Sequence, residues 1–244
     1  MAINQQFNEQ EVAHSVAIAL EAFYKNLINK LDTLNIKAVI RRKNPYLFRA
    51  KAMNGASQIV EALLSAFISS SEETIFGNVF FEPVAIVAAQ GQKALAEGVD
   101  IMFERADTIY AIAVKSGTSV FNASSRKKQE QNFMAAQKLA QQAKKRFVPI
   151  VGYSYGRKNT SDRGMPKFYT ELAGQKFWAE LTGDEDFYLK LIQYMKELPE
   201  KYIDDFDVAY QKAANKLVRG FTIEFCNEDG SINWEKLVKF NSGC

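Results

Sequence analysis

The sequence predicts a mixed α/β domain built on one sheet flanked by helices. Three observations carry that expectation. Between Gly98 and Gly117, an alternating stretch and a β-rich apolar run are separated by a short polar turn. A second apolar run, Phe147–Val151, is divided from that pair by a basic amphipathic helix. Helical periodicity occupies both ends of the chain.

In chain order, Asn8 followed by Glu11 has the pattern of a capping box. It predicts a long helix to about Leu31 that buries Val12, Val16, Leu20, Phe23 and Leu27. The lone histidine, His14, then lies roughly 200° round from Val12, near the polar face. Arg41–Lys51, with Pro45, reads as a connection, and a second helix is expected over Gly55–Ser69. Ser70 and Glu73 form another capping-box pattern, predicting a third helix that continues or kinks at Pro83. Val99, Ile101 and Phe103 alternate with Asp100, Met102 and Glu104 as a strand; Arg105–Asp107 is its turn and Ile109–Val114 the return. A helix over Ser124 to about Lys145 buries Phe133, Ala136 and Ala140. Phe147–Val151 is a buried strand ended by Gly152, and a loop rich in Gly, Tyr, Ser and Arg runs to Pro166. The acidic last third reads as mostly helical, with Gly220 as a C-cap before a short strand, Phe221–Phe225. On this reading residues 1–244 are one domain, with N-terminal helices at 7–70, a core at about 71–155 and a helical C-terminal region at about 170–244.

Composition narrows the function. Two cysteines, Cys226 and Cys244, are too few for a disulfide framework or a zinc site, and one histidine excludes His-based metal clusters. No apolar run approaches about 18 residues and no signal peptide is evident, so a cytoplasmic protein is expected, with no membrane partner. Charge is uneven. Lys37, Arg41, Arg42, Lys43, Arg49 and Lys51 lie between Asp32 and Glu61 with no acid among them. Twelve bases against two acids, Glu130 and Asp162, lie between Asp107 and Glu171. Such tracts fit a polyanionic partner, although a solvated helix face has the same composition.

The residues with chemical potential are Asp100, entering one strand, and Lys115, leaving the next. A hairpin centred near Ala106 or Asp107 sets Asp100 opposite Val114 or Lys115, at the open end. A carboxylate there suits Mg²⁺, which prefers oxygen ligands, and the Val114 carbonyl offers another. A lysine there can orient a nucleophile or neutralise phosphate charge. An ordinary cross-strand ion pair has the same spacing.

Several segments occur in an order that resembles the PmeII family of type II restriction endonucleases: KNPYLFRAK (43–51), SSSEETIFGN (69–78) with Phe81-Glu82, GVDI (98–101), VKSG (114–117) with Asn122, VGYSYG (151–156) and GQKFWAELTGDEDFY (174–188). The resemblance covers roughly Phe7 to Met195. It implies a PD-(D/E)xK restriction-endonuclease-like core with a mixed central sheet and helical elaborations at both ends. It also implies Mg²⁺ as cofactor, with Mn²⁺ as a substitute, and double-stranded DNA as substrate. Asp100 matches the motif aspartate and Lys115 the motif lysine, whereas the acid expected two residues before the lysine is Ala113. Glu104 is a poor replacement, since four residues of strand put it about 13 Å from Asp100. An upstream helix is the better source. Glu82 closes a Gly-x4-Glu segment similar to the acid-bearing helix of related nucleases, and Glu73 is the alternative. Nine residues apart, roughly 900° of helix, they cannot both face one site on a straight helix.

For DNA contact the expectation falls on Ser116 and Gly117 beside the scissile phosphate, with Asn122 and with Arg126, Lys127 and Lys128 at the start of the basic helix. Arg157, Lys158 and Arg163 are the candidates for base reading, being on a loop with Tyr153 and Tyr155. Phe177 and Trp178 read as core. A homodimer on palindromic DNA is admitted by analogy alone. Competing readings are a catalytically impaired DNA-binding descendant, a protein-interaction module, and a nuclease for RNA or branched DNA.

Overall fold

The core of the structure is a five-stranded mixed sheet in the order β1-β2-β3-β4-β5. It comes from a computed structural model that describes residues 7–158 and 168–243. Helix α1 is Glu9–Asp32, followed by α2 (Ile36–Ile40), α3 (Pro45–Ala50) and α4 (Ala56–Phe76). A π-helical turn, Gly77–Phe81, runs into α5 (Glu82–Ala88). Strands β1 (Gln92–Lys93), β2 (Ile101–Arg105) and β3 (Thr108–Lys115) are antiparallel neighbours. Helix α6 (Ala123–Gln142) crosses over to β4 (Arg146–Tyr153), parallel to β3, and β5 (Thr170–Ala173) adds in parallel to β4. Four helices follow: α7 (Gln175–Thr182), α8 (Phe187–Met195), α9 (Glu200–Phe225) and α10 (Trp234–Ser242).

These elements divide into two units, one drawn from Met1–Ala22 and Phe76–Pro199, the other from Phe23–Ile75 and Glu200–Cys244. The first holds the sheet. Its α6 face packs Phe133 and Ala136 on Ala111, Ala113, Val151 and Tyr153, while Phe177 and Trp178 are buried as expected. The second is helical, with Leu31, Ile59 and Leu63 sharing a core with Ala213, Leu217, Phe221 and Leu237. His14 is exposed. Among the described residues no helix is long and apolar enough to cross a membrane.

Several local expectations are corrected. Arg41–Lys51 is not a plain connection: Asn44 caps the backbone of Tyr46 and Leu47 and Pro45 opens α3, a position where its missing N–H costs nothing. Helix α4 runs unbroken through Ser70, whose carbonyl accepts the Thr74 hydroxyl, so the Ser70/Glu73 pattern starts no helix. The irregularity comes later, as the π turn just before Pro83, which cannot donate a helical hydrogen bond. Gly220 ends nothing; α9 continues to Phe225, and the glycine lets Ile36 approach closely. The strands β1 and β5 were not anticipated.

Geometry of the candidate active site

The hairpin turn fixes the site. Ala106 and Asp107 both have positive φ (43° and 61°), as a two-residue primed turn requires. Arg105 therefore pairs with Thr108 and Ile101 with Ile112. One step further, Asp100 lies opposite Ala113 rather than Val114 or Lys115, a one-residue correction to the expected register. The open end of the hairpin still joins the expected groups. Asp100 N–H donates to the Ile112 carbonyl at 2.8 Å. Its Oδ2 accepts the Val114 N–H at 2.7 Å and meets Lys115 Nζ at 3.3 Å. Among the described residues every hydrogen bond to this carboxylate falls on Oδ2, leaving Oδ1 open.

Backbone groups alternate sides along a strand. The Lys115 carbonyl accepts the Ser154 N–H on the β4 side, whereas the Val114 N–H faces Asp100. The Val114 carbonyl accordingly projects toward Asp100, beyond the end of β2.

Asp100 is also held from behind. Gly98 turns with φ +69°, and a Cβ there would sit 2.1 Å from the Asn132 amide of α6. Buried Gln129, also on α6, donates to the Gly98 carbonyl at 2.6 Å. The helix thus clamps the turn that delivers Asp100 to the sheet edge.

Glu82 is the first residue of α5, and its Oε1 pairs with Lys93 Nζ at 2.9 Å. Lys93 escaped the sequence reading because a two-residue exposed strand has no periodicity. Its pKa is raised by the hydrogen bond to Glu82, then by the charge of that carboxylate, against desolvation, with Asp100 adding a smaller upward push. Strand pairing sets Lys93 beside Ile101, on the face opposite Asp100 and Ala113. Glu82 and Asp100 thus approach the sheet end from opposite faces, with Lys93 within electrostatic reach of both. Glu73 falls in the helical unit, and Glu104 is paired with Lys145. Ala113 is fully buried against Phe133 and Val151, so an acid at that position would need the core to open.

The basic residues sort into groups. Arg126 NH1 and Lys158 Nζ lie 3.6 and 2.7 Å from Oε1 of Glu171, whose side chain is 6% exposed. The same oxygen accepts the Tyr153 hydroxyl at 2.6 Å. Burial, followed by that bond to Glu171, pushes the Tyr153 pKa far up and keeps its proton in place. Neither Glu171 nor this network was foreseen. By register, Glu171 shares a row with Val151, Ala113 and Asp100. Three strand spacings, about 14 Å, separate it from Asp100, too far for one shared ion.

Asn122 is the N-cap of α6, in a capping box with Ser125. Lys128 pairs with Glu97, while Lys127 and Arg157 are exposed. The Ser116 carbonyl accepts the Tyr155 N–H, and its hydroxyl lies where a Cβ on Gly77 of the π turn would be. Gly117 is buried under the Tyr155 ring. Arg157 and Lys158 line a cavity of about 810 Å³ with Phe81, Tyr155 and Tyr188. Arg163 lies outside the described residues.

No group of three or more His, Cys, Asp or Glu side chains is arranged for a metal among the described residues. The donors at Asp100 are hard oxygens, its free Oδ1 and the Val114 carbonyl, and Glu82 is a second carboxylate that shares Lys93 with it electrostatically. Such a set fits Mg²⁺, which takes one or two protein carboxylates and completes its shell with water and phosphate.

A family model described as Type II restriction endonuclease EcoO109I matches residues 10–202. A search of curated proteins returns no match.

Proposed function

Because the chain belongs to the type II restriction endonuclease EcoO109I family, we propose that it hydrolyses phosphodiester bonds in double-stranded DNA at a specific sequence, using Mg²⁺, with Mn²⁺ as a substitute. The family makes it a type II restriction-like nuclease. The ordered segments from KNPYLFRAK to GQKFWAELTGDEDFY support a finer kinship with the PmeII family. The observation that carries the chemical reading is the Asp100–Val114–Lys115 constellation at the open end of the hairpin.

Asp100, the Val114 carbonyl and Glu82 would hold the ion. When bound, it would supply Lewis-acid stabilisation of the phosphoryl charge and a more acidic water. The rest falls to the chain. The Val114 N–H fixes the Asp100 carboxylate in one orientation and leaves Oδ1 outward. Lys115, 28% exposed, can swing from Asp100 to the attacking water or a phosphate oxygen and donate there. Lys93 holds the Glu82 carboxylate beside the site. Lys127 and Arg157, with Arg126 and Lys158 organised by Glu171, supply phosphate contacts on the α6 face. A homodimer would suit a palindromic site.

One observation favours a second reading: buried Ala113 replaces the motif acid, as in a descendant that binds DNA without cutting it. Incubating the protein with unmethylated plasmid and phage DNA in Mg²⁺, Mn²⁺ or EDTA separates the two. Discrete metal-dependent fragments are expected. Salt-sensitive binding without cleavage would select the impaired descendant instead.

A further inference from the structure

The helical unit carries a basic feature that the catalytic reading leaves unused. Of the six bases between Asp32 and Glu61, three are engaged within the unit. Lys37 pairs with Glu224 at 2.8 Å. Arg41 lies over the Phe240 ring and Arg49 over the Trp234 ring. Arg42 and Lys43 point elsewhere: with Lys30 of α1 they line a cavity of about 500 Å³ that also takes in Asn35, Ser70 and Ser71. No acid lines it, and none of the three cations has an ion pair among the described residues.

The turn that carries two of these cations is built rather than loose. Asn241 of α10 donates its side-chain amide to the carbonyls of both Ile40 and Lys43, at 2.9 and 2.8 Å. The Lys43 N–H closes on the Ile40 carbonyl at 2.8 Å. Arg41, stacked on the residue before Asn241, anchors the same turn from its other side. A solvated basic face needs no such backing. Cations gathered at a turn of pinned backbone, with no acid among them, favour an extended anion, and the apolar walls from Val39 and Phe67 suit the sugar faces beside a phosphate.

We propose that Lys30 of α1, with Arg42 and Lys43 on the turn pinned by Asn241, forms a backbone-phosphate grip for double-stranded DNA on the helical unit. The grip uses none of the cations described on the sheet. It gives a purpose to α10, which lies beyond the family match. The inference rests on the nuclease reading only in its choice of DNA as the polyanion.

The test is the salt dependence of duplex DNA binding in EDTA, where no cleavage intervenes. The slope of log affinity against log salt counts phosphates neutralised, at about 0.9 per contact. The Lys30→Ala/Arg42→Ala/Lys43→Ala variant should lower the magnitude of that slope by about 2 to 3. Each single variant should lower it by about 1, which keeps the test valid should the triple variant fold poorly by circular dichroism. Lys37→Ala, in the same run but paired with Glu224, should leave the slope unchanged. An unaltered slope in the triple variant, or an equal drop in Lys37→Ala, overturns the grip; the first would make an acidic protein surface the occupant to test. A wild-type chain without salt-sensitive DNA binding would defeat the nuclease reading itself, which is a distinguishable result.

Discussion

Two carboxylates on the α6 face of one sheet, Asp100 and Glu171, share a register row and have opposite surroundings. Glu171 is nearly sealed, with a tyrosine hydroxyl and two cations converging on one oxygen. Asp100 has a 23% exposed side chain, one fixed oxygen and one open oxygen. A saturated acid organises its neighbours, and an acid with a vacant lone pair at a strand end can take on a ligand. Under the proposed function, that contrast gives the chemistry to Asp100 and an architectural part to Glu171, although composition alone gives them equal standing.

The largest effect should come from the open carboxylate. Asp100→Asn should remove cleavage by about 10³-fold or more, with Lys115→Ala costing about 10²- to 10³-fold, both in single-turnover assays with the fold intact by circular dichroism. Residual activity near wild type in either would strike that residue from the mechanism. Glu82→Gln should cost less, about tenfold, and appear as a raised Mg²⁺ requirement; Glu73→Gln should change neither rate nor metal requirement.

Next come the elements that hold the two acids. Glu171→Gln should lower stability by about 1 to 3 kcal/mol, read as a shift in urea midpoint. The stranded cations limit the loss, because Lys158 and Arg126 retain access to solvent. Gly98→Ala meets both the positive φ and the Asn132 side chain, and should cost a similar amount while lowering activity through displacement of Asp100. A Gly98→Ala enzyme with wild-type stability and rate would show that the clamp from α6 is dispensable.

The smallest effect belongs to a half-buried, paired acid. The Asp184 carboxyl is held below its ordinary value of 3.8 chiefly by the hydrogen bond from Lys190. A depressed carboxyl contributes stability that is full above the ordinary value and is lost as pH falls through the lowered one. Lys190→Met should therefore lower stability by a small amount near neutrality, and the difference from wild type should shrink as pH falls through the lowered value. A difference that stays the same down to the acid limb would remove the Asp184 pair from the stability of this unit.

The contrast between the acids also marks how far the sequence could be read. The hairpin was legible because Val99, Ile101 and Phe103 alternate and the return strand is β-branched. Its register was off by one because periodicity does not reveal that Ala106 and Asp107 alone make the turn. Asp100 and Lys115 survived that slip, since both sit at the open end. Glu171 was hidden because strand β5 is four residues long with an acid in it, and its stretch reads as part of an acidic helical tail. Lys93 lay in a strand too short to show a pattern. The basic residues were visible as charge, but only packing reveals that Arg126 and Lys158 serve Glu171 while Arg41 and Arg49 rest on rings. Pro45 and Gly220 misled for a common reason: each marks a helix end by local preference, and the true context was an N1 position for one and a close approach of Ile36 for the other.

The most direct test of this division is a side-by-side single-turnover measurement on Asp100→Asn and Glu171→Gln at saturating DNA and Mg²⁺. The account predicts no measurable cleavage from the first and a rate within about tenfold of wild type from the second, with weaker DNA affinity. A folded Glu171→Gln protein that binds DNA but cleaves no faster than Asp100→Asn would contradict it, and would move the missing acid to β5.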